Sequence, residues 1–251
     1  MIETRNLSVQ YGAKSVLKNI NIRFDTGEIT ALIGANGCGK STLLRMIAGL
    51  QSPDQGHVLL HGKAITQHSR RAIAREIGYL SQSPQAPEGV TVRQLVEHGA
   101  FSGTRLFRRP AVQAVDEVMD RVDLLSYADR PFDTLSGGER QRGWIALTLL
   151  QAPKILLLDE PTSFLDMGYR IDIMRLVEEL KSERGMGVIM VLHDLNEAAR
   201  FADRIVALKD GGILRDGDKS VVDARLPEAL FGAKVSVLPS GDGVPFIKPD
   251  W

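Results

Sequence analysis

The sequence predicts an α/β fold: a mostly parallel sheet covered by helices on both faces, an antiparallel β subdomain near its start and a helical subdomain inserted in its middle. Three observations carry that expectation. Apolar runs of strand length alternate with helical segments from Ile155 onward, the pattern of a buried parallel sheet. A glycine-rich turn, Gly34 to Gly39, lies between an apolar run and a helical one. From Thr91 to about Leu125 the apolar spacing is helical, with no strand interrupting it.

The elements follow in order. Ile2, Leu7 and Val9 lead into Tyr11, and Ile20, Ile22 and Phe24 follow. These read as short strands separated by the turn residues Tyr11-Gly12 and Asp25-Thr26-Gly27. Ile29 to Ile33 is a buried strand, and Lys40 to Ala48 a helix. Residues 56 to 65 read as a strand pair turning at His61-Gly62, and Ile77 to Leu80 as a short strand before a loop marked by Pro84 and Pro87. The helical subdomain, about residues 83–153, holds Val92, Leu95 and Val96, then Val112, Val115, Val118, Met119 and Val122. Strands return at Ile155 to Leu158, Val188 to Leu192 and Ile205 to Leu208, separated by helices near 168–184 and 195–202. The last residues, 232–251, read as a small hairpin, Val235 to Leu238 against Val244 to Ile247.

Composition narrows the class. With 43% hydrophobic and 25% charged residues, the chain can bury a core without staples. Its one cysteine allows no internal disulfide. Thirty-one basic residues balance 31 acidic ones, which argues against a nucleic-acid partner. No run of apolar residues is long enough to span a bilayer, and the N-terminus lacks the pattern of a signal peptide. The expected location is the cytoplasm, and any membrane role requires a separate partner.

Gly34-Ala35-Asn36-Gly37-Cys38-Gly39-Lys40-Ser41 matches G-x-x-x-x-G-K-[ST] between a strand and a helix. Glycines let backbone N–H groups converge on phosphates, and the helix N-terminus adds positive potential. Candidate nucleotide contacts are therefore Gly34, Asn36, Gly37, Cys38, Gly39, Lys40, Ser41 and Thr42, with Lys40 on the outer phosphates and Ser41 on Mg²⁺. Cys38 itself fills a position the motif leaves free, and reads as a small tolerated residue. Ile155-Leu156-Leu157-Leu158-Asp159-Glu160 is a buried strand ending in two carboxylates. At the carboxyl end of a parallel strand, Asp159 is placed to hold Mg²⁺ and Glu160 to polarise a water as general base. Alone, two such acids are also compatible with a helix cap or a surface pair.

Leu135-Ser136-Gly137-Gly138-Glu139-Arg140-Gln141-Arg142 resembles the signature sequence of ABC nucleotide-binding domains, and the rest of that family's set stands in order. The resemblance covers roughly residues 1 to 231. It implies a P-loop ABC-type nucleotide-binding domain with the antiparallel and helical subdomains already described. It also implies Tyr11 stacking on adenine, Gln82 sensing Mg²⁺ and a permease, Asp166 in a loop that touches the opposite subunit, and His193 on the γ-phosphate. Ser136, Gly137 and Gly138 would contact ATP held by a second copy of the chain, in a homodimer that ATP closes. The local reading of Ser136 and Glu139 as a capping box holds beside this. Gly143 interrupts the following helix and implies close packing there. His57, His61, His68 and His98 read as surface or loop residues, and Arg105, Arg108 and Arg109 as a solvated basic cluster.

The resemblance therefore implies an ATPase, using ATP and Mg²⁺, beneath separate transmembrane permease subunits on the cytoplasmic face of the membrane. A DNA-linked ABC ATPase would normally carry a coiled coil or zinc module, and an inactive regulator would not need Lys40, Asp159, Glu160 and His193 together. The wording around Trp144, Phe164 and His193 resembles ferric-siderophore importers, with haem and cobalamin importers as alternatives. That branch implies an indirect partner, a periplasmic or lipoprotein solute-binding protein.

Overall fold

Two sheets share the helix that follows the glycine-rich loop. The computed structural model describes residues 1–102, 111–239, 241 and 243–250; Arg105, Arg108 and Arg109 lie outside them, as do Ser240 and Asp242 of the expected hairpin turn. β1 (Ile2–Tyr11) and β2 (Lys14–Phe24) pair antiparallel through a turn with Gly12 at φ 59°. After β3 (Ile29–Ile33) and α1 (Lys40–Ile47) come β4 (Gln55–Leu60) and β5 (Lys63–Ala64). The antiparallel sheet runs β2-β1-β4-β5. Inward positions on β1 change parity, Ile2 and Thr4 and then Leu7 and Val9, because the register shifts between Thr4 and Leu7. Asn6 in that interval has φ 49°, the local kink of a bulge. Thr4 is buried, but its hydroxyl donates to Ile20 O at 3.0 Å and accepts from Ile22 N–H at 3.1 Å, so nothing polar is stranded.

The second sheet uses β6 (Ile77–Leu80), β7 (Ile155–Asp159), β8 (Gly187–Val191), β9 (Arg204–Lys209) and β10 (Gly212–Gly217). Its order is β10-β9-β3-β8-β7-β6, parallel throughout except at β10. Every residue of β3, β7 and β8 is buried, as a sheet covered on both faces requires. Alternate residues feed opposite cores. Leu157 and Ile189 pack with Phe24, Leu43 and Leu44 on one side. Leu156, Leu158, Val188 and Met190 pack on the other with Ile173, Val177 and the helical segment.

α2 (Arg70–Glu76) stands just before β6, and between β6 and β7 the described residues form the α-helices α3 (Val92–His98), α4 (Val112–Arg121) and α5 (Gly137–Leu149). No strand occurs there among the described residues. On α5, a Cβ at Gly143 would fall 2.6 Å from Phe132 Cε2. That is the close packing expected of it, and Phe132 in turn meets Trp144 edge-on at 5.4 Å.

α6 (Met167–Arg184) and α7 (Leu195–Phe201) follow β7 and β8. After α8 (Arg225–Phe231) the chain ends in β11 (Val235–Pro239) and β12 (Pro245–Pro249). β12 sits slightly later than the apolar pattern of 244–247 implies, with Val237 opposite Ile247. The hairpin is docked: Asn196 on α7 donates to Ile247 O at 3.1 Å and accepts from Ile247 N–H at 2.8 Å. No helix among the described residues is long and apolar enough to cross a membrane.

Candidate functional site

The glycine-rich loop leaves β3 in a conformation only glycine tolerates. Gly34 has φ 146°, and a Cβ there would sit 2.3 Å from Leu208 O. Gly39 has φ 108°, with Val16 O 2.9 Å from the same hypothetical atom. The loop is therefore held close to its neighbours, and no side chain caps the helix α1 that it opens. Lys40 is buried, and its ammonium donates to Gly34 O at 2.7 Å and Ala35 O at 3.1 Å. A cationic group cradled by a glycine loop at a helix N-terminus fits a polyphosphate. Cys38 is buried among Leu43, Leu44 and other core residues.

Ser41 Oγ donates to Asp159 Oδ1 at 2.8 Å. Burial pushes the Asp159 carboxyl up, opposed by the Ser41 hydroxyl and reinforced by the charge of Glu160. Glu160 sits in the left-handed region at φ 57°. Its Oε2 accepts from Gln82 Nε2 at 2.5 Å and from Ser163 Oγ at 3.0 Å, and its Oε1 lies 2.6 Å from His193 Nε2.

Sheet order explains this convergence. Neighbouring strands run β3-β8-β7-β6. At their carboxyl ends stand the Lys40 loop, His193, the Asp159–Glu160 pair and Gln82, in that order, although the chain brings them from positions far apart. Ligands bind at such an edge in parallel sheets. Beside it a pocket of about 270 Å³ is lined by Tyr11, Asn36, Gly37, Gly39, Lys40, Ser41, Thr42 and Glu160, among others. Tyr11 is half exposed and donates through its hydroxyl to Gln51 Oε1 at 2.8 Å.

Ser136, Gly137 and Gly138 do not line that pocket. They open α5 with the capping box expected of them: Glu139 N–H donates to Ser136 Oγ at 3.3 Å, and Ser136 N–H to Glu139 Oε2 at 2.7 Å. The hydrogen bond from the Ser136 backbone holds the Glu139 carboxyl below its ordinary range. Gly138 is packed too closely on the Tyr169 ring for any side chain, whereas Gly137 stands open. Asp166 is exposed and caps α6, accepting from Tyr169 N–H at 3.1 Å. Just before it, Phe164 is 94% exposed at φ 65°. One copy of the chain thus carries the Lys40 pocket and, outside its lining, the exposed start of α5 beside the loop that ends at Asp166.

Sequence reasoning did not single out Ser163 as a partner of Glu160, nor the bond from Thr162 Oγ1 to Glu197 Oε2 at 3.0 Å. The first is a local contact three residues apart, whereas the second joins the segments after β7 and β8 and leaves no spacing signal.

A phosphate loop and an acidic strand end at the same carboxyl edge of one parallel sheet define a P-loop nucleotide hydrolase. A model of the ABC transporter family matches residues 17–163; the chain belongs to that family and is an ATP-binding, ATP-hydrolysing subunit. It is 41% identical to the ferric enterobactin transport ATP-binding protein FepC of Escherichia coli, over 97% of this chain and 92% of that protein. The iron(3+)-hydroxamate import ATP-binding protein FhuC of Bacillus subtilis is 39% identical, over 91% and 86%. The hemin import ATP-binding protein HmuV of Bradyrhizobium diazoefficiens is 40% identical, over 99% and 94%. Among solved structures, the ADP conformation of MJ1267, an ATP-binding cassette of an ABC transporter, superposes with a TM-score of 0.82 at 26% identity, over 92% of this chain and 98% of that one.

Proposed function

We propose that this chain powers a bacterial importer of ferric siderophore or another iron chelate, as a homodimer on the cytoplasmic face of the membrane beneath a separate permease. The chemistry rests on the meeting of Lys40, Asp159, Glu160, His193 and Gln82 at one sheet edge. The cargo rests on similarity along nearly the whole chain to subunits of iron-chelate importers. Residues 1–231 form the nucleotide-binding domain, with the helical subdomain 83–153 inserted and 232–251 as an extension.

Tyr11 receives the adenine ring. The loop from Gly34 to Thr42 cradles the phosphates, with Lys40 turning from the backbone carbonyls to the outer phosphates. Ser41, Asp159 and Gln82 are the residues for Mg²⁺; their all-oxygen donor set suits that ion. Bound there, Mg²⁺ neutralises charge on the phosphates. Glu160 takes up the proton of the attacking water, oriented by Gln82, Ser163 and His193, and His193 also faces the γ-phosphate. Ser136, Gly137 and Gly138 of the second copy, with its Asp166 loop, close the site from across the dimer. Phosphoryl transfer to water depends chiefly on positioning and charge neutralisation, so splitting the site between two copies ties hydrolysis to their closure. A solute-binding protein, periplasmic or lipoprotein, delivers the cargo to the permease, and nucleic acid plays no part.

Haem is the second reading, favoured by the 40% identity to the hemin import protein over 99% of this chain. Transport in cells whose only defect is Lys40→Ala separates the two. Uptake of radioactive ferric siderophore should fall while haem and cobalamin uptake stay normal. Normal uptake across a panel of siderophores, with loss of another solute, would remove the cargo assignment and leave the ATPase standing.

A further inference from the structure

We infer that Glu197 is a positioning residue for ATP hydrolysis, clamping the loop between Glu160 and α6 to the helix that follows His193. The inference rests on the roles proposed for Glu160 and His193. Glu197 lies one helical turn after His193, on α7. Its Oε2 accepts from Thr162 Oγ1 at 3.0 Å. Its Oε1 lies 3.7 Å from the Arg170 guanidinium, whose Nε donates to Leu165 O at 2.8 Å. One carboxylate therefore holds the 161–165 loop at Thr162 directly and at Leu165 through Arg170. Glu160 and Ser163, which meet each other, flank the Thr162 anchor on either side.

The two contacts are unequal. The Arg170 side chain is 41% exposed and its pair with Glu197 is long, so solvent weakens it. Thr162 is 6% exposed and the Glu197 side chain 15%, so the hydroxyl bond is the anchor. Burial pushes the Glu197 carboxyl up, and the Thr162 hydroxyl holds it down. Replacing both Thr162 and Glu197 by apolar groups of the same shape would be nearly neutral for the fold. What the carboxylate adds is a fixed distance between the Glu160 loop and the His193 helix. Misplacing a catalytic group by about 1 Å costs on the order of 100-fold in rate.

The test uses the chain assembled with its permease, measuring steady-state hydrolysis and equilibrium MgATP affinity. Glu197→Ala and Thr162→Val should each lower kcat about tenfold and leave the ATP dissociation constant within about twofold. The double variant should be no slower than the slower single one. Glu197→Gln keeps an acceptor for Thr162 and should recover most of the rate. A purely structural role predicts otherwise: kcat and affinity falling together with the melting temperature, and effects that multiply in the double variant. Either that pattern or an unchanged kcat in Glu197→Ala overturns the inference. Glu160→Gln in the same preparation separates the two levels. Full turnover there removes the site reading and this inference with it; lost turnover there beside a normal Glu197→Ala removes this inference alone.

Discussion

Replacing Gly143 by alanine sets two effects of known size against each other. The residue lies in the interior of α5, where alanine is favoured over glycine by about 1 kcal/mol. Against this, the added methyl would fall 2.6 Å from Phe132 Cε2 and 3.5 Å from Cζ, and the ring must move. It has little room, being 3% exposed and held edge-on against Trp144 at 5.4 Å. Overpacking of this kind costs about 1–3 kcal/mol, so the net result is a loss of about 1 kcal/mol. For a chain of this size that lowers Tm by about 2–4 °C. Calorimetry of the nucleotide-free protein would read it directly. Phe132→Leu should relieve the clash, so Phe132→Leu and Gly143→Ala together should cost less than the sum of the two singles. A Tm raised by Gly143→Ala would show that helix propensity wins and that the Phe132 contact is slack.

Glu160→Gln keeps the size of the side chain and an acceptor for Gln82 or Ser163, but loses the base; turnover should fall about 100- to 10,000-fold while ATP binding persists and an ATP-bound dimer accumulates in sedimentation. Wild-type turnover would remove Glu160 from the mechanism. Mixing Lys40→Ala chains with Ser136→Arg chains should restore partial nucleotide-driven closure, because the mixed dimer keeps one site with both halves intact; closure that follows the Ser136→Arg chain's own pocket regardless of its partner, in its homodimer as in the mixture, would refute the shared site. Burial raises the folded Asp159 carboxyl above its unfolded value, so its ionised form opposes folding at neutral pH and that penalty vanishes as pH falls. Asp159→Asn, which still accepts from Ser41, should therefore raise the nucleotide-free Tm at neutral pH, by a margin that shrinks toward the acidic carboxylate range. A margin that grows in acid would contradict the burial argument.

The parallel core was legible because β3, β7 and β8 are apolar at every position or nearly so, and the site because its residues stand at strand ends in fixed local motifs. α2 escaped that reading since none of its residues is buried, and periodicity has nothing to report. Its start was nevertheless written in Ser69, whose side chain accepts from Ala72 N–H. α8 was hidden by Pro227 inside it, although Asp223 accepts from the N–H groups of Arg225 and Leu226 at its entrance and Gly232 closes it at φ 69°. The Thr162–Glu197 bond had no signature of its own. It exists only because β7 and β8 are neighbours in the sheet, and order within a sheet is a long-range outcome.

The position of β3 also sets a timetable for biosynthesis. The strand that carries the phosphate loop is made well before its sheet partners β8 and β9, as in the pairing of Ala31 with Met190 and Ile205. A nascent chain emerging at about 5–20 residues per second therefore carries an unpaired Ile29–Ile33 segment for roughly 8 to 30 s before residues 187–209 exist to receive it. Until then the loop has a helix behind it but no sheet edge to stand on. A complete nucleotide edge thus requires β8 and β9 to have been made, and the apolar segment is a natural client for a chaperone during the wait.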